Sequence, residues 1–174
     1  MNQTVENAVF NIGDYVIKTN SNVCRIEKIG PLDISPDKDR LYYSLTPLGD
    51  KAEMIYVPVD KAAVSLRRVM TEAQAWELIN SISEIEELYI DNEKHREAAY
   101  KEAIQSSNPK MLVSVLKTMY LRKKLRNESG KKATIVDERF FKLAENNLHT
   151  ELAFALGKGK DEIGDIIKAA VQSA

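Results

Sequence analysis

The chain has 174 residues, a formal net charge of −1, 44% hydrophobic residues and 29% charged residues. These values are ordinary for a soluble globular protein with one large or two small domains. Its uninterrupted apolar runs reach only about five residues, as at positions 152–156, so we expect no membrane-spanning helix, which requires roughly 20.

Residues 1–9 lack the basic region and the following apolar stretch of a secretory signal, and we interpret them as a flexible extension. The single cysteine, Cys24, cannot form an internal disulfide. Its apolar neighbours Val23 and Ile26 predict a buried structural thiol rather than a reactive one, because nothing nearby would lower its pKa. A reducing cytoplasm is the simplest location.

Residues 10–70 contain short β-rich runs divided by turn residues. The five runs cover positions 15–17, 23–29, 41–45, 54–57 and 64–66. Turn signals lie at 20–22, in the loop 33–39 that contains Pro36, and at 49–50. We predict a small Tudor-like β-barrel of about five strands as the first domain.

After Met70 the apolar period becomes about 3.6, and residues 71–174 are predicted to form a compact all-α bundle. Its five helices cover 72–82, 92–107, 109–127, the segment from Thr134 to Gly157, and 160–172. The predicted N-caps are Thr71, Asp91 or Asn92, Asn108 and Thr134. The fold class is therefore α+β with two domains.

Apolar spacing predicts which helix faces are buried. The inward arc of the third helix is Leu112, Val115, Leu116, Met119 and Tyr120, and that of the fourth is Phe141, Ala144, Leu148, Leu152 and Ala155. Trp76, the only tryptophan, is interpreted as a core anchor in preference to a ligand platform.

No catalytic, metal or cofactor signature is present, so we expect a protein that is not an enzyme. His95 and His149 lie on different predicted helices without the spacing of a zinc-binding helix. Gly157 and Gly159 flank Lys158, but no buried strand precedes them as a phosphate-binding loop requires.

Charge is strongly segregated along the helical half. Residues 93–132 hold eleven Lys or Arg against four Glu, whereas residues 72–91 hold six acids and no base. Such segregation favours a polyanionic partner, although a charge run is often only a solvated face.

The arrangement of the cations favours nucleic acid. In an antiparallel hairpin the start of the second helix and the end of the third lie at the same end, so their basic clusters would converge. The predicted DNA-binding residues are Lys94, His95, Arg96, Arg122, Lys123 and Lys124. They would contact phosphates with strong salt dependence and low sequence specificity. The alternative is an adaptor whose helical domain binds an acidic protein surface and not DNA.

The order of these parts resembles the CarD/CdnL family of bacterial transcription regulators. The resemblance rests on the sequence Ile-Gly-Asp-Tyr-Val at 12–16, the sequence Tyr-Val-Pro at 56–58 and the helical series from 92 to 156. It implies a β module that docks on the RNA polymerase β subunit, as in transcription-repair coupling factors, and a helical domain that touches promoter DNA and modulates open-complex stability. By position, the polymerase contacts are Leu32, Met54, Ile55 and Tyr56.

The resemblance further implies a cytoplasmic protein that is nucleoid-associated through polymerase and monomeric when bound. The chain departs from the family pattern in two places. Residues 18–22 replace a segment with aromatic, basic and glycine residues, and Glu93 stands where members place a tryptophan wedge. Because an anion cannot replace an intercalating ring, DNA contact is expected to depend on the cations alone.

Overall fold

The computed structural model describes residues 9–19, 23–49 and 53–172. The chain divides into two compact units, Met1–Val69 and Met70–Ala174. The predicted turn at 20–22, residue 50 of the predicted turn at 49–50, and most of the predicted N-terminal extension lie outside the described residues.

The described residues of the first unit form an antiparallel five-stranded sheet. Its strands are β1 (Tyr15–Lys18), β2 (Val23–Gly30), β3 (Tyr42–Pro47), β4 (Ile55–Pro58) and β5 (Leu66–Arg68). The spatial order is β4-β3-β2-β1-β5, with an irregularity in the β2/β3 register between Ile26 and Lys28. The α+β class and the strand number are confirmed.

The predicted barrel is wrong, because the sheet is open. Closure would require β4 to pair with β5, and the two strands instead occupy opposite edges of the sheet. The chain between them folds into a 3₁₀ turn, Val59–Lys61, and a short helix α1 (Ala62–Ser65). This helix also displaces the fifth strand, which was predicted at 64–66 and begins only at Leu66.

One face of the sheet forms the core of this unit. The buried side chains of this core cluster are Phe10, Val16, Cys24, Ile26, Tyr43, Leu45, Val57, Ala62 and Leu66. Tyr43 holds the segment around Phe10 against this core, because its hydroxyl accepts a hydrogen bond from the Phe10 backbone N–H at 3.2 Å. Burial raises the pKa of the Cys24 thiol to about 11, which agrees with the predicted structural thiol.

The described residues of the second unit form five α-helices. They are α2 (Glu72–Asn80), α3 (Arg96–Gln105), α4 (Pro109–Glu128), α5 (Ile135–Leu156) and α6 (Lys160–Gln172). Two 3₁₀ turns, Ile82–Glu84 and Glu93–His95, flank the irregular segment 85–92. The predicted all-α fold of this part is confirmed, and its helix limits agree within a few residues except that α3 begins only after the second 3₁₀ turn.

The predicted caps explain where these helices begin. The side chains of Thr71, Asn108 and Thr134 accept hydrogen bonds from backbone N–H groups in the first turns of α2, α4 and α5. Asn92 does the same for the 3₁₀ turn before α3. Gly157 ends α5 with a φ of 61°, a left-handed conformation that glycine adopts without a steric penalty.

Two predicted core positions are wrong. Tyr120 is 63% exposed, because the buried arc of α4 consists of Leu112, Val113, Val115, Thr118 and Met119. Trp76 is 36% exposed, whereas Ala75, Leu78 and Ile79 form the buried face of α2. Of the predicted α5 stripe, Ala144, Leu148 and Leu152 are buried, and Phe141 and Ala155 are half-buried.

Candidate polymerase-docking edge and cationic surface

Strand β4 forms one edge of the sheet. Its four residues pair with β3 in the register Tyr42 to Pro58 and Leu45 to Ile55. No strand of the described chain pairs with its other side. An unpaired antiparallel edge offers backbone N–H and C=O groups to an added strand.

The side chains on this edge alternate in burial. Met54 and Tyr56 are 48% and 42% exposed, whereas Val57 is buried and Ile55 is half-buried. Alternation places Tyr56 on the solvent face while Val57 anchors the strand to the core. The edge therefore combines free backbone groups with exposed apolar side chains.

Leu32 is half-buried in the loop that follows β2. Gly30 at the end of β2 pairs with Tyr42, which in turn pairs with Pro58, so this loop leaves the sheet at the Pro58 end of β4. Met54 precedes the opposite end. Of the four predicted polymerase contacts, Met54, Ile55 and Tyr56 thus lie on or beside β4, and Leu32 lies in the loop that leaves β2 at the Pro58 end of β4.

In the helical unit, the two basic segments meet through their arginines. Arg96 at the start of α3 and Arg122 near the end of α4 both bind Glu93, with N–O distances of 2.9 and 2.6 Å. Arg96 Nε lies 3.1 Å from Asp137 Oδ1, and Arg122 Nε lies 4.0 Å from Asp137 Oδ2. These four residues form an ion-pair cluster that joins the starts of α3 and α5 to the end of α4.

Burial differs sharply within the ion-pair cluster. Asp137 is 5% exposed, whereas the Glu93 side chain is largely in solvent. Hydrogen bonds from Arg122 and Arg96 lower the pKa of the Glu93 carboxyl. Burial disfavours the Arg122 cation, but its hydrogen bond to Glu93 and the nearby negative charges outweigh this, so the net pKa of Arg122 is raised.

Tyr100 lies in the core near this cluster and is fully buried. Desolvation, followed by the negative charge of Asp137, raises the pKa of its hydroxyl to about 12. A neutral phenol at this position therefore persists across the physiological pH range.

The remaining predicted DNA contacts are exposed. Lys94, Lys123 and Lys124 form no ion pair with any residue in the described part of the chain, and His95 lies 3.6 Å from Asp91. Arg96 and Arg122 hold carboxylates, so the positive charge free to meet another molecule resides chiefly on the lysines.

Comparison with known protein families bears on the first unit. Residues 10–70 match the family model described as the CarD-like/TRCF RID domain. The first unit is therefore similar to a CarD-like RNA polymerase-interaction domain. This RID domain supports an interaction with RNA polymerase and confirms the predicted resemblance for the β module. A search of the curated proteins found no match.

The RID match ends at residue 70, before the helices that carry the ion-pair cluster. Strand β4 and Leu32 lie inside the RID domain, and Lys94 to Lys124 lie outside it. Among the described residues, no group of three or more His, Cys, Asp or Glu could hold a metal ion. No helix in the described ranges is long and apolar enough to cross a membrane.

Two functional residues differ from the sequence interpretation. Glu93 was considered only as the replacement for a tryptophan, and it bridges both arginines. Asp137 was not predicted as a site residue; its backbone N–H donates a hydrogen bond to Oγ1 of the predicted N-cap Thr134, and its carboxylate faces the arginines. The sequence did contain a signal that Asp137 lies near Arg122, because only a short loop can join the end of α4 to the start of α5.

Proposed function

We propose that this protein is a non-enzymatic transcription regulator that docks on the RNA polymerase β subunit through its RID domain and contacts promoter DNA through its helical unit. The observation that carries the first part is the RID match over residues 10–70 together with the unpaired β4 edge. Strand addition at this edge would use backbone hydrogen bonds for affinity and the exposed side chains for specificity.

Contact with DNA is supported by the exposed cations beside the ion-pair cluster. Lys94, Lys123 and Lys124 carry three charges without an internal ion-pair partner among the described residues, and the exposed His95 follows Lys94 in the chain. Tethering to polymerase makes weak DNA affinity sufficient, because the second contact becomes effectively intramolecular. Such a protein would act at the nucleoid in the cytoplasm, as a monomer when bound, by changing the stability of the open promoter complex.

A pull-down of RNA polymerase tests the docking. Met54→Asp combined with Tyr56→Asp places charge on the β4 edge, and we expect retention of polymerase to fall at least about tenfold, since apolar contacts would be replaced by unpaired carboxylates. Val64→Asp is the matched control, because Val64 is 81% exposed on the same domain but lies on α1. Equal retention by the edge variant and the control would contradict docking at β4.

A duplex-binding titration at several salt concentrations, with polymerase present, tests the DNA contact. The double variant Lys123→Ala and Lys124→Ala should reduce the slope of log affinity against log salt by up to about two units, since each lost phosphate contact removes roughly one. Lys168→Ala on α6 is the control. A flat salt response in the unmodified protein would favour the adaptor that binds an acidic protein surface.

A further inference from the structure

A groove of about 530 Å³ lies between α4 and α5 in the helical unit. Its α4 wall contains Tyr120, Lys123, Lys124 and Asn127, and its α5 wall contains Glu138, Phe141, Lys142 and Glu145. On both helices these positions follow the spacing i, i+3, i+4 and i+7, which defines one face of a helix. Two complete helix faces thus border the same cleft.

The floor of the groove is apolar and reaches solvent. Met119 is buried and Phe141 is half-buried, while Tyr120 stands 63% exposed at the rim. A volume of this size falls within the roughly 300–1,000 Å³ of ordinary ligand sites. An aromatic rim over an apolar floor is suited to receiving apolar side chains from a partner.

The charges that line the groove do not favour a polyanion. Three lysines meet four acidic residues: Lys123, Lys124, Lys142, Glu128, Asp137, Glu138 and Glu145. Asp137 is held by Arg96 and Arg122, so the three glutamates balance the lysines. The α4 wall presents Lys123 and Lys124, whereas Glu138 and Glu145 stand at either end of the α5 wall. Phosphates laid along the groove would meet both glutamates, and such like-charge contacts disfavour binding.

A partner with apolar, acidic and basic faces would satisfy all three surfaces. From position 120 to position 127 the groove extends about 10 Å along α4, at about 1.5 Å per residue, which is two helical turns. An amphipathic helix recognises such a groove through apolar residues at i, i+3, i+4 and i+7.

We propose that the α4/α5 groove binds one amphipathic helix of a partner protein, with its acidic flank on Lys123 and Lys124 and its basic flank on Glu138 and Glu145. This inference does not depend on the proposed DNA contact. Where the proposed DNA contact also holds, the partner helix and promoter DNA would compete for Lys123 and Lys124.

The test uses the full chain and a fluorescein-labelled synthetic helical peptide. The peptide carries leucines at i, i+3, i+4 and i+7, glutamates on one flank and lysines on the other. We expect saturable binding by fluorescence anisotropy that Phe141→Asp weakens by at least about tenfold, because the apolar floor gains an unpaired charge. Tyr89→Asp is the matched control, since Tyr89 is 86% exposed and does not line the groove.

A charge-reversal variant supplies a second readout that does not alter the floor. Lys123→Glu with Lys124→Glu should weaken the mixed-flank peptide by about tenfold and strengthen binding of a peptide with lysines on both flanks. Circular dichroism and Trp76 fluorescence check that each variant is folded. The assay contains neither polymerase nor DNA, so its result is separate from that of the duplex titration.

Four results would overturn the inference. The first is that no saturable peptide binding is seen, and the second is that neither the floor variant nor the charge variant changes peptide binding. The third is that the free protein is a dimer in sedimentation and Phe141→Asp converts it to a monomer. The fourth is that a single-stranded oligonucleotide binds in a way that requires Phe141 while the peptide does not bind. The third would assign the groove to a second copy of this chain, and the fourth to nucleic acid.

Discussion

Removing the Asp137 carboxylate is the sharpest test of the ion-pair cluster. In Asp137→Ala, Arg96 loses a partner at 3.1 Å and Arg122 one at 4.0 Å, at a residue that is 5% exposed. Breaking a buried ion pair costs about 3–5 kcal/mol, because a charge remains without its partner in a poorly solvated place. Both arginines keep Glu93, so we expect the lower end, about 3 kcal/mol.

The neighbouring residue provides the control. Glu138 also lies in the first turn of α5, where a carboxylate interacts favourably with the helix dipole, but it is exposed. Glu138→Ala should cost only the dipole contribution, about 0.3–1 kcal/mol. Glu93→Gln should cost at most about 1 kcal/mol, because its ion pairs are solvent-exposed. Stability should therefore rank Glu138→Ala and Glu93→Gln close to the unmodified protein and Asp137→Ala far below.

Urea unfolding followed by tryptophan fluorescence measures this ranking. The only tryptophan, Trp76, lies on α2 in the helical unit, so its emission reports that unit and not the sheet. A loss of about 3 kcal/mol corresponds to a fall in Tm of more than about 10 °C for a unit of this size. If Asp137→Ala and Glu138→Ala unfold at the same urea concentration, the cluster does not stabilise the helical unit.

Three further predictions concern single residues. Ser107 has a φ of 54°, so Ser107→Gly should stabilise the helical unit by up to about 1 kcal/mol in the same urea assay, and a loss would contradict backbone strain there. Cys24 is fully buried with its pKa raised to about 11, so Ellman's reagent should modify it only after unfolding; rapid modification of the native protein would refute this. Burial lowers the pKa of His149, so the unfolded state binds the proton more readily, and the free energy of unfolding should fall as the pH drops below about 6.5. His149→Gln should remove this part of the pH dependence. An unchanged profile in that variant would refute a contribution from His149.

The local signals in the sequence predicted most of the fold. The caps at Thr71, Asn108 and Thr134 and the stop at Gly157 depend on a few adjacent residues, and the helices begin and end close to them. Sheet closure could not be predicted in the same way. Whether β5 pairs with β4 or with β1 depends on the path of the chain through α1, and strand spacing alone does not contain that information.

For the candidate cationic surface too, the sequence predicted the local arrangement but not the contacts made by long-range packing. The sequence predicts that the start of α3 and the end of α4 lie at the same end of an antiparallel hairpin, and Arg96 and Arg122 do meet there. Their shared partners could not be assigned, because Asp137 lies on another helix, 15 residues after Arg122, and is brought in only by packing. A count of cations therefore overestimated the charge available to an external ligand, since Arg96 and Arg122 are held by carboxylates and His95 lies 3.6 Å from Asp91.

The charge held by the ion-pair cluster limits what the helical unit could do at a promoter. A ligand shifts a conformational equilibrium only by the difference between its affinities for the two states. In the proposed DNA contact, exposed lysines would bind phosphates in closed and open promoter complexes alike, so their contribution to that difference would be small unless the geometry of polymerase brings DNA closer in one state. Under the proposed function, the RID domain therefore determines the direction of regulation, because the position at which it docks decides in which promoter state Lys94, Lys123 and Lys124 can reach DNA.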